Sequence, residues 1–188
     1  MLILNDFKLK CMKKQVFILL VSMLSLMSCD ELSKITQFSM TVSQDITLPK
    51  GLPAGSLSAL PVVEVPINSA SFFETHSISP ELVGTITLKK FDITLTSPTN
   101  KNLSFLKSIE FSIVAPDSSV IATRSVPDSV GSTISLEVKD PSRNLKSLII
   151  NQTSLKLKIK GETRAALDTT YIIALKPEFT IDLDVLGM

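Results

Sequence analysis

The chain has 188 residues, with 19 lysines and arginines against 18 aspartates and glutamates, a net charge of +1 and 44% hydrophobic residues. Its only arginines are Arg124, Arg143 and Arg164, and neither a basic excess nor an arginine cluster is present, so the electrostatic footprint that a polyanion demands is missing and nucleic acid is excluded as a partner. Two cysteines (Cys11 and Cys29), a single histidine (His76) and no tryptophan exclude a disulfide framework, argue against an imidazole-rich metal centre and weaken the case for an aromatic sugar-binding platform.

In chain order, Lys13 and Lys14 precede a largely apolar run from Val16 to Met27, and small Ser28 stands before Cys29. These are the charged, apolar and cleavage regions of a secretory signal. The apolar run is short of the roughly twenty residues that span a bilayer, so it reads as a signal helix that is cleaved. Leu26-Met27-Ser28-Cys29 resembles the lipobox of bacterial lipoproteins. That resemblance implies that the Cys29 thiol is acylated and becomes the new N-terminus. Residues 1–11 lie upstream of the signal, and Met12-Lys13-Lys14 makes the more conventional start.

On this reading residues 1–28 are a signal peptide, 29–34 a lipidated tether and 35–188 a single domain, large enough to bury its own core. Loss of Asp6, Lys8, Lys10, Lys13 and Lys14 with the signal leaves 15 basic and 17 acidic residues, a net charge of −2. Asp30-Glu31 resembles the export signals that carry lipoproteins of Bacteroidetes-like bacteria to the outer face of the outer membrane. Asp30 equally resembles the inner-membrane retention signal of enterobacteria.

From Ile35 to Leu48 the apolar residues Phe38, Met40 and Val42 alternate with Ser39 and Thr41, which predicts one strand with a single buried face. Pro49, Pro53, Pro61, Pro66 and Pro80 are half of the 10 prolines in the chain. They predict loops around a short strand at 61–66, then an irregular stretch over 69–79. Ser79-Pro80 opens a single helical turn, a capping serine followed by proline at the first helical position.

Thr85 to Ser97 changes parity at Lys89-Lys90: Ile86 and Leu88 alternate on one set of positions, Phe91, Ile93 and Leu95 on the other. One extra residue in a strand does this, so a bulge is expected there. A turn over 97–102 and an apolar connector over 103–107 lead to a strand at 108–115, which a hairpin joins to 120–126. Strands follow at 133–139 and 153–160, with one short helix between them where Leu145, Leu148 and Ile149 fall at helical spacing. A last pair, 169–175 and 178–186, is divided at Lys176-Pro177 because proline cannot donate to a ladder.

Short alternating strands with turns every eight to twelve residues or so identify an all-β chain. The expected fold is an antiparallel immunoglobulin-like β-sandwich with one or two short helices, preceded by the N-terminal signal helix. Outward positions carry Lys, Asp, Ser and Thr, which excludes a parallel sheet buried on both faces and a membrane barrel.

Few constellations in this sequence carry chemistry. His76 is the only imidazole base and no Gly-x-Ser-x-Gly elbow exists, so a nucleophile–base–acid arrangement is not expected. Lys156, Lys158 and Lys160 form a row of positive charge on one strand face, suited to an anionic surface or, more commonly, to keeping an exposed or edge strand soluble. Glu178, Asp182 and Asp184 share a strand face, which spreads carboxylates apart where calcium needs them wrapped around it. Phe72, Phe73, Leu103, Phe105 and Leu106 are candidates for an apolar mouth between the sheets, or for core closure.

The sequence therefore points to a lipid-anchored cell-envelope protein, on the outer membrane at its surface or periplasmic face, with a binding or structural role and no catalysis or cofactor. It resembles small envelope lipoproteins of Bacteroidetes-like bacteria. The expected partners are the membrane, through the N-terminal lipid on Cys29, and an envelope protein. The alternative is a carrier of a lipid or other apolar ligand between the two sheets.

Overall fold

The computed structural model describes residues 36–55, 57, 60–114, 118–150 and 152–184. By compactness the chain divides into residues 1–37 and 38–188. The signal peptide, Cys29 and the tether lie outside the described residues, and the architecture below is that of the second unit and the strand leading into it.

Nine strands are described: β1 (Gln37–Thr41), β2 (Gln44–Leu48), β3 (Val63–Pro66), β4 (Val83–Ser97), β5 (Leu106–Ile113), β6 (Val120–Ser125), β7 (Thr133–Val138), β8 (Ser154–Thr163) and β9 (Tyr171–Leu183). Two short helices, α1 (Ser69–Thr75) and α2 (Lys146–Ile149), and 3-10 turns at Pro80–Leu82 and Leu103–Phe105 complete the set. The pairings among β2 to β9 are antiparallel, and the strand order is β1-β9-β4-β7-β6-β5-β8-β3, with β2 also on β9. The expected all-β antiparallel sandwich is what the chain forms.

The sheet folds over at β7. Residues 133–136 pair with β4, whereas Glu137 and Val138 pair with Thr123 and Ala122 of β6. One strand thus belongs to both layers. Between the layers, Phe91 of β4 and Phe111 of β5 are fully buried with ring centroids 4.7 Å apart. Phe179, Ile93, Leu88 and Ile109 are buried in the same core. Burying such side chains, each worth about 1.5–3 kcal/mol, is what holds the two layers face to face.

The expected bulge is present. The β4–β9 register shifts between Leu88 and Lys90, with Ile86 and Leu88 buried before it and Phe91, Ile93 and Leu95 after it. The 3-10 turn at Pro80–Leu82 and the helix at Lys146–Ile149 also fall where the sequence puts them, but the Ser79 side chain makes no capping hydrogen bond, and it is the Leu82 N–H that closes the turn on the Ser79 carbonyl.

Three local expectations are corrected. The first strand is broken at Val42-Ser43, yet both pieces lie along β9. Residues 69–75, expected to be irregular, form α1, fixed by burial of Phe73 and by Ser69 Oγ donating to the Ile149 carbonyl at 3.0 Å. The last two strands are one, running through Pro177 without a change of parity: Tyr171, Ile173, Leu175, Pro177, Phe179 and Ile181 are all buried. The Pro177 carbonyl accepts from the Val42 N–H at 3.2 Å. Since the N–H and C=O of a strand residue point to the same side, the missing N–H of Pro177 faces the Val42-Ser43 break, and the β4 ladder loses nothing.

Candidate functional site

Cys29, the expected lipidation site, lies outside the described residues. The three lysines of the row are exposed on β8, which is not an edge strand: it pairs with β3 on one side and β5 on the other. Cross-strand register sets Lys156 opposite Glu64 and Lys160 opposite Glu110, with nitrogen–oxygen distances of 3.4 and 3.8 Å, while Lys158 faces Ser112. Two of the three charges are therefore offset by direct neighbours. The true edge, β3, is only 4 residues long and is bracketed by Pro61 and Pro66, a pattern that discourages addition of another strand.

The five candidate mouth residues fall into two groups, Phe72 edge-on to Phe73 at 6.0 Å and Leu103, Phe105 and Leu106 around the turn before β5. Leu103 and Leu106 are fully buried, and the half-buried Phe105 packs its ring on Tyr171 at 4.3 Å, where β9 begins. Phe73 is buried in the core beneath α1. Phe72 stacks on His76 at 4.1 Å near Phe38 of β1, seven residues or roughly 23 Å along β9 from Tyr171, because Ser39 Oγ donates to Glu178 at 2.8 Å. The interior where a carrier would hold its ligand contains the fully buried rings of Phe91, Phe111 and Phe179, the first two 4.7 Å apart.

His76 follows the last turn of α1 with its Nδ1 2.8 Å from the Phe72 carbonyl. It lines an open groove of about 430 Å³ between α1, Pro66–Asn68 and the Met40–Ser43 break. A second groove of about 370 Å³ lies beside α2, lined by Ile113, Val114, Leu148 and Leu155 among others. Sequence periodicity gave no sign of either groove, since both form where short helices meet strand ends. Among the described residues no group of three or more His, Cys, Asp or Glu could hold a metal ion, and no helix is long and apolar enough to cross a membrane.

Most ionisable groups with altered affinities sit on exposed faces and turns, and Tyr171 is buried at the start of β9. Hydrogen bonds from Lys89 (2.9 Å) and Ser39 hold the Glu178 carboxyl below its ordinary range. For Asp92, partial burial pushes upward, but the hydrogen bonds from Lys90 and Ser135 outweigh it and the net direction is down. At the opposite end of β9, Asp168 is lowered by Lys101 and by the Tyr171 hydroxyl, and burial with Asp168 beside it raises Tyr171. These groups lie across neighbouring strands and turns and tie them together.

No protein-family model matches the chain and no curated protein matches it in sequence. Among solved structures it is similar to a decameric BFDV capsid protein, at 9% identity over 77% of this chain and 99% of that one, with a TM-score of 0.38. The Desmodium yellow mottle tymovirus structure is 15% identical over 81% of this chain and 91% of that one, TM-score 0.30. Turnip yellow mosaic virus is 14% identical over 78% and 93%, TM-score 0.32.

Proposed function

We propose that this protein is a lipid-anchored component of the bacterial cell envelope, held on the outer membrane at its surface or periplasmic face, whose domain binds a partner or builds structure and does not catalyse a reaction. The observation that carries this reading is Leu26-Met27-Ser28-Cys29 at the close of an apolar run that follows Lys13 and Lys14. Cys29 is the only cysteine after residue 11 and stands a few residues ahead of β1, so acylation there would tether the sandwich by a short leash. The non-catalytic role is supported by where charge is used: Lys89–Glu178, Lys90–Asp92 and Lys107–Glu162 pair on outer faces at 2.9, 2.6 and 2.7 Å. An envelope protein is the expected partner of the folded domain.

Metabolic labelling with an alkyne analogue of palmitate tests the anchor. Wild-type protein should take up label and fractionate with membranes, and Cys29→Ser should lose both; label retained in Cys29→Ser, or unlabelled wild type, overturns the reading. Protease added to intact cells then separates the two faces, with degradation marking surface display and protection the periplasmic side.

A further inference from the structure

β1 enters the sandwich beside the C-terminal half of β9: Ser39 contacts Glu178, and the Val42 N–H reaches Pro177. Phe38 therefore emerges at the end where β9 finishes. Hydrogen bonds gather α1, α2 and the Pro80–Leu82 turn at the same end. The Asp184 N–H donates to Leu82 of the 3-10 turn at 2.7 Å, the Leu145 N–H before α2 donates to Ile86 at 2.6 Å, and Ser69 of α1 bonds Ile149 of α2. β5 finishes here too, with Val114 lining the groove beside α2.

Three large apolar side chains are exposed among the described residues, Val62 at 46%, Leu82 at 46% and Val114 at 37%. Leu82 and Val114 belong to this helical end. Val62 precedes β3, about five residues or roughly 16 Å of strand from it. The opposite end is closed by the ion pairs Lys101–Asp168 and Arg164–Asp128, and the outer sheet faces carry the lysine–carboxylate pairs described above.

We infer that the helical end, through Leu82 and Val114, rests on the lipid surface that holds the anchor. The inference depends on the reading of Cys29 as the lipidated residue. From Cys29 to Phe38 the chain reaches at most about 31 Å fully extended. A tether of that length ending at Phe38 brings the helical end within reach of the bilayer while relaxed, whereas bringing the distal loops there would use nearly its whole reach along β9. With the lipid already holding the molecule, two exposed apolar side chains need only set its orientation. The elements of this end carry charge of both signs, Arg143 and Lys146 as well as Glu74, Glu81 and Asp184, and Lys156, whose carbonyl meets the Val114 N–H, is paired with Glu64, so the contact is with the headgroup–acyl boundary and does not select anionic lipid.

The folded domain contains no cysteine, so single labels are available. Lipidated protein carrying Leu82→Cys, Val114→Cys or Asn100→Cys, each labelled with an environment-sensitive nitrobenzoxadiazole dye, is reconstituted in phosphatidylcholine vesicles with or without lipids brominated near the headgroup end of their acyl chains. Labels at 82 and 114 should shift to the blue and lose fluorescence to bromine, and the label at Asn100, in the distal turn, should do neither. Equal quenching at all three positions, or quenching at 100 alone, in protein that floats with the vesicles overturns the orientation and leaves the anchor standing. Wild-type protein that does not float, matching Cys29→Ser, overturns the anchor and the orientation with it.

Discussion

A Cβ placed on Gly161 would fall 2.3 Å from the Ser108 carbonyl oxygen and 3.0 Å from the Ile109 Cα. Gly161 sits in β8 at a φ of +153°, opposite Ile109 in β5, where its lack of a side chain lets the two backbones close. Both obstructing groups are backbone and cannot swing aside. Gly161→Ala should cost about 2–4 kcal/mol, read as a lower urea midpoint at unchanged slope. Gly131→Ala, whose new Cβ would find nothing nearer than 4.0 Å, should change stability by less than about 1 kcal/mol.

Arg164 is a staple at the distal end. Its Nη2 donates to the Val126 carbonyl at 2.6 Å and its Nε to the Ser104 carbonyl at 3.0 Å, while Nη1 meets Asp128 at 2.7 Å. Asp128 is 90% exposed, so that ion pair contributes little; the two carbonyl bonds depend on a planar fork that lysine lacks. Arg164→Lys should therefore lower stability by about 1–2 kcal/mol and Asp128→Ala by less than about 0.5 kcal/mol. Equal losses in thermal melts would show that charge, not fork geometry, holds the loop.

What the sequence made legible follows from what periodicity can encode. The bulge at Lys89-Lys90 was readable because an inserted residue flips every later side chain to the other face. The break at Val42-Ser43 was not, since Met40, Ile46 and Leu48 keep one parity across it. Pro177 was over-read as a stop: a proline ends a strand only where its absent N–H was needed, and the partner on that side was itself interrupted. α1 lacks an apolar stripe and exists through tertiary contacts of Ser69 and Phe73. The exposure of Leu82 and Val114 had no local mark either. The only hint was an apolar residue in a turn for one, and in an alternation that stops for the other.

The lowered carboxyl of Glu178 links stability to pH. A group held below its unfolded value binds fewer protons in the folded state, so its contribution is present above the ordinary glutamate range, near 4.5, and is lost as the pH falls through the lowered value. Asp92 acts in the same direction from its ordinary value of 3.8. Glu178→Gln removes the charge and keeps the shape. At pH 7 it should be less stable by about 0.5–1 kcal/mol, its acid limb should be shallower than wild type, and the two curves should meet at low pH. A gap that persists at low pH would mean the loss came from packing.

The lysine row on β8 poses the sharpest choice between two meanings of one pattern. An anionic-surface contact needs its charges unspent, whereas Glu64 and Glu110 stand directly across from Lys156 and Lys160 at 3.4 and 3.8 Å. Exposed cross-strand pairs contribute roughly 0.2–1 kcal/mol each. Replacing Lys156, Lys158 and Lys160 together by Gln should therefore lower stability by no more than about 2 kcal/mol. A chain beginning at residue 30, which keeps every described strand, should float no better with phosphatidylglycerol than with phosphatidylcholine vesicles, and the triple substitution should leave that unchanged. Preference for phosphatidylglycerol that disappears with the three lysines would assign the row to an anionic surface, and would also bring the outer face of β8, not the helical end, down to the bilayer.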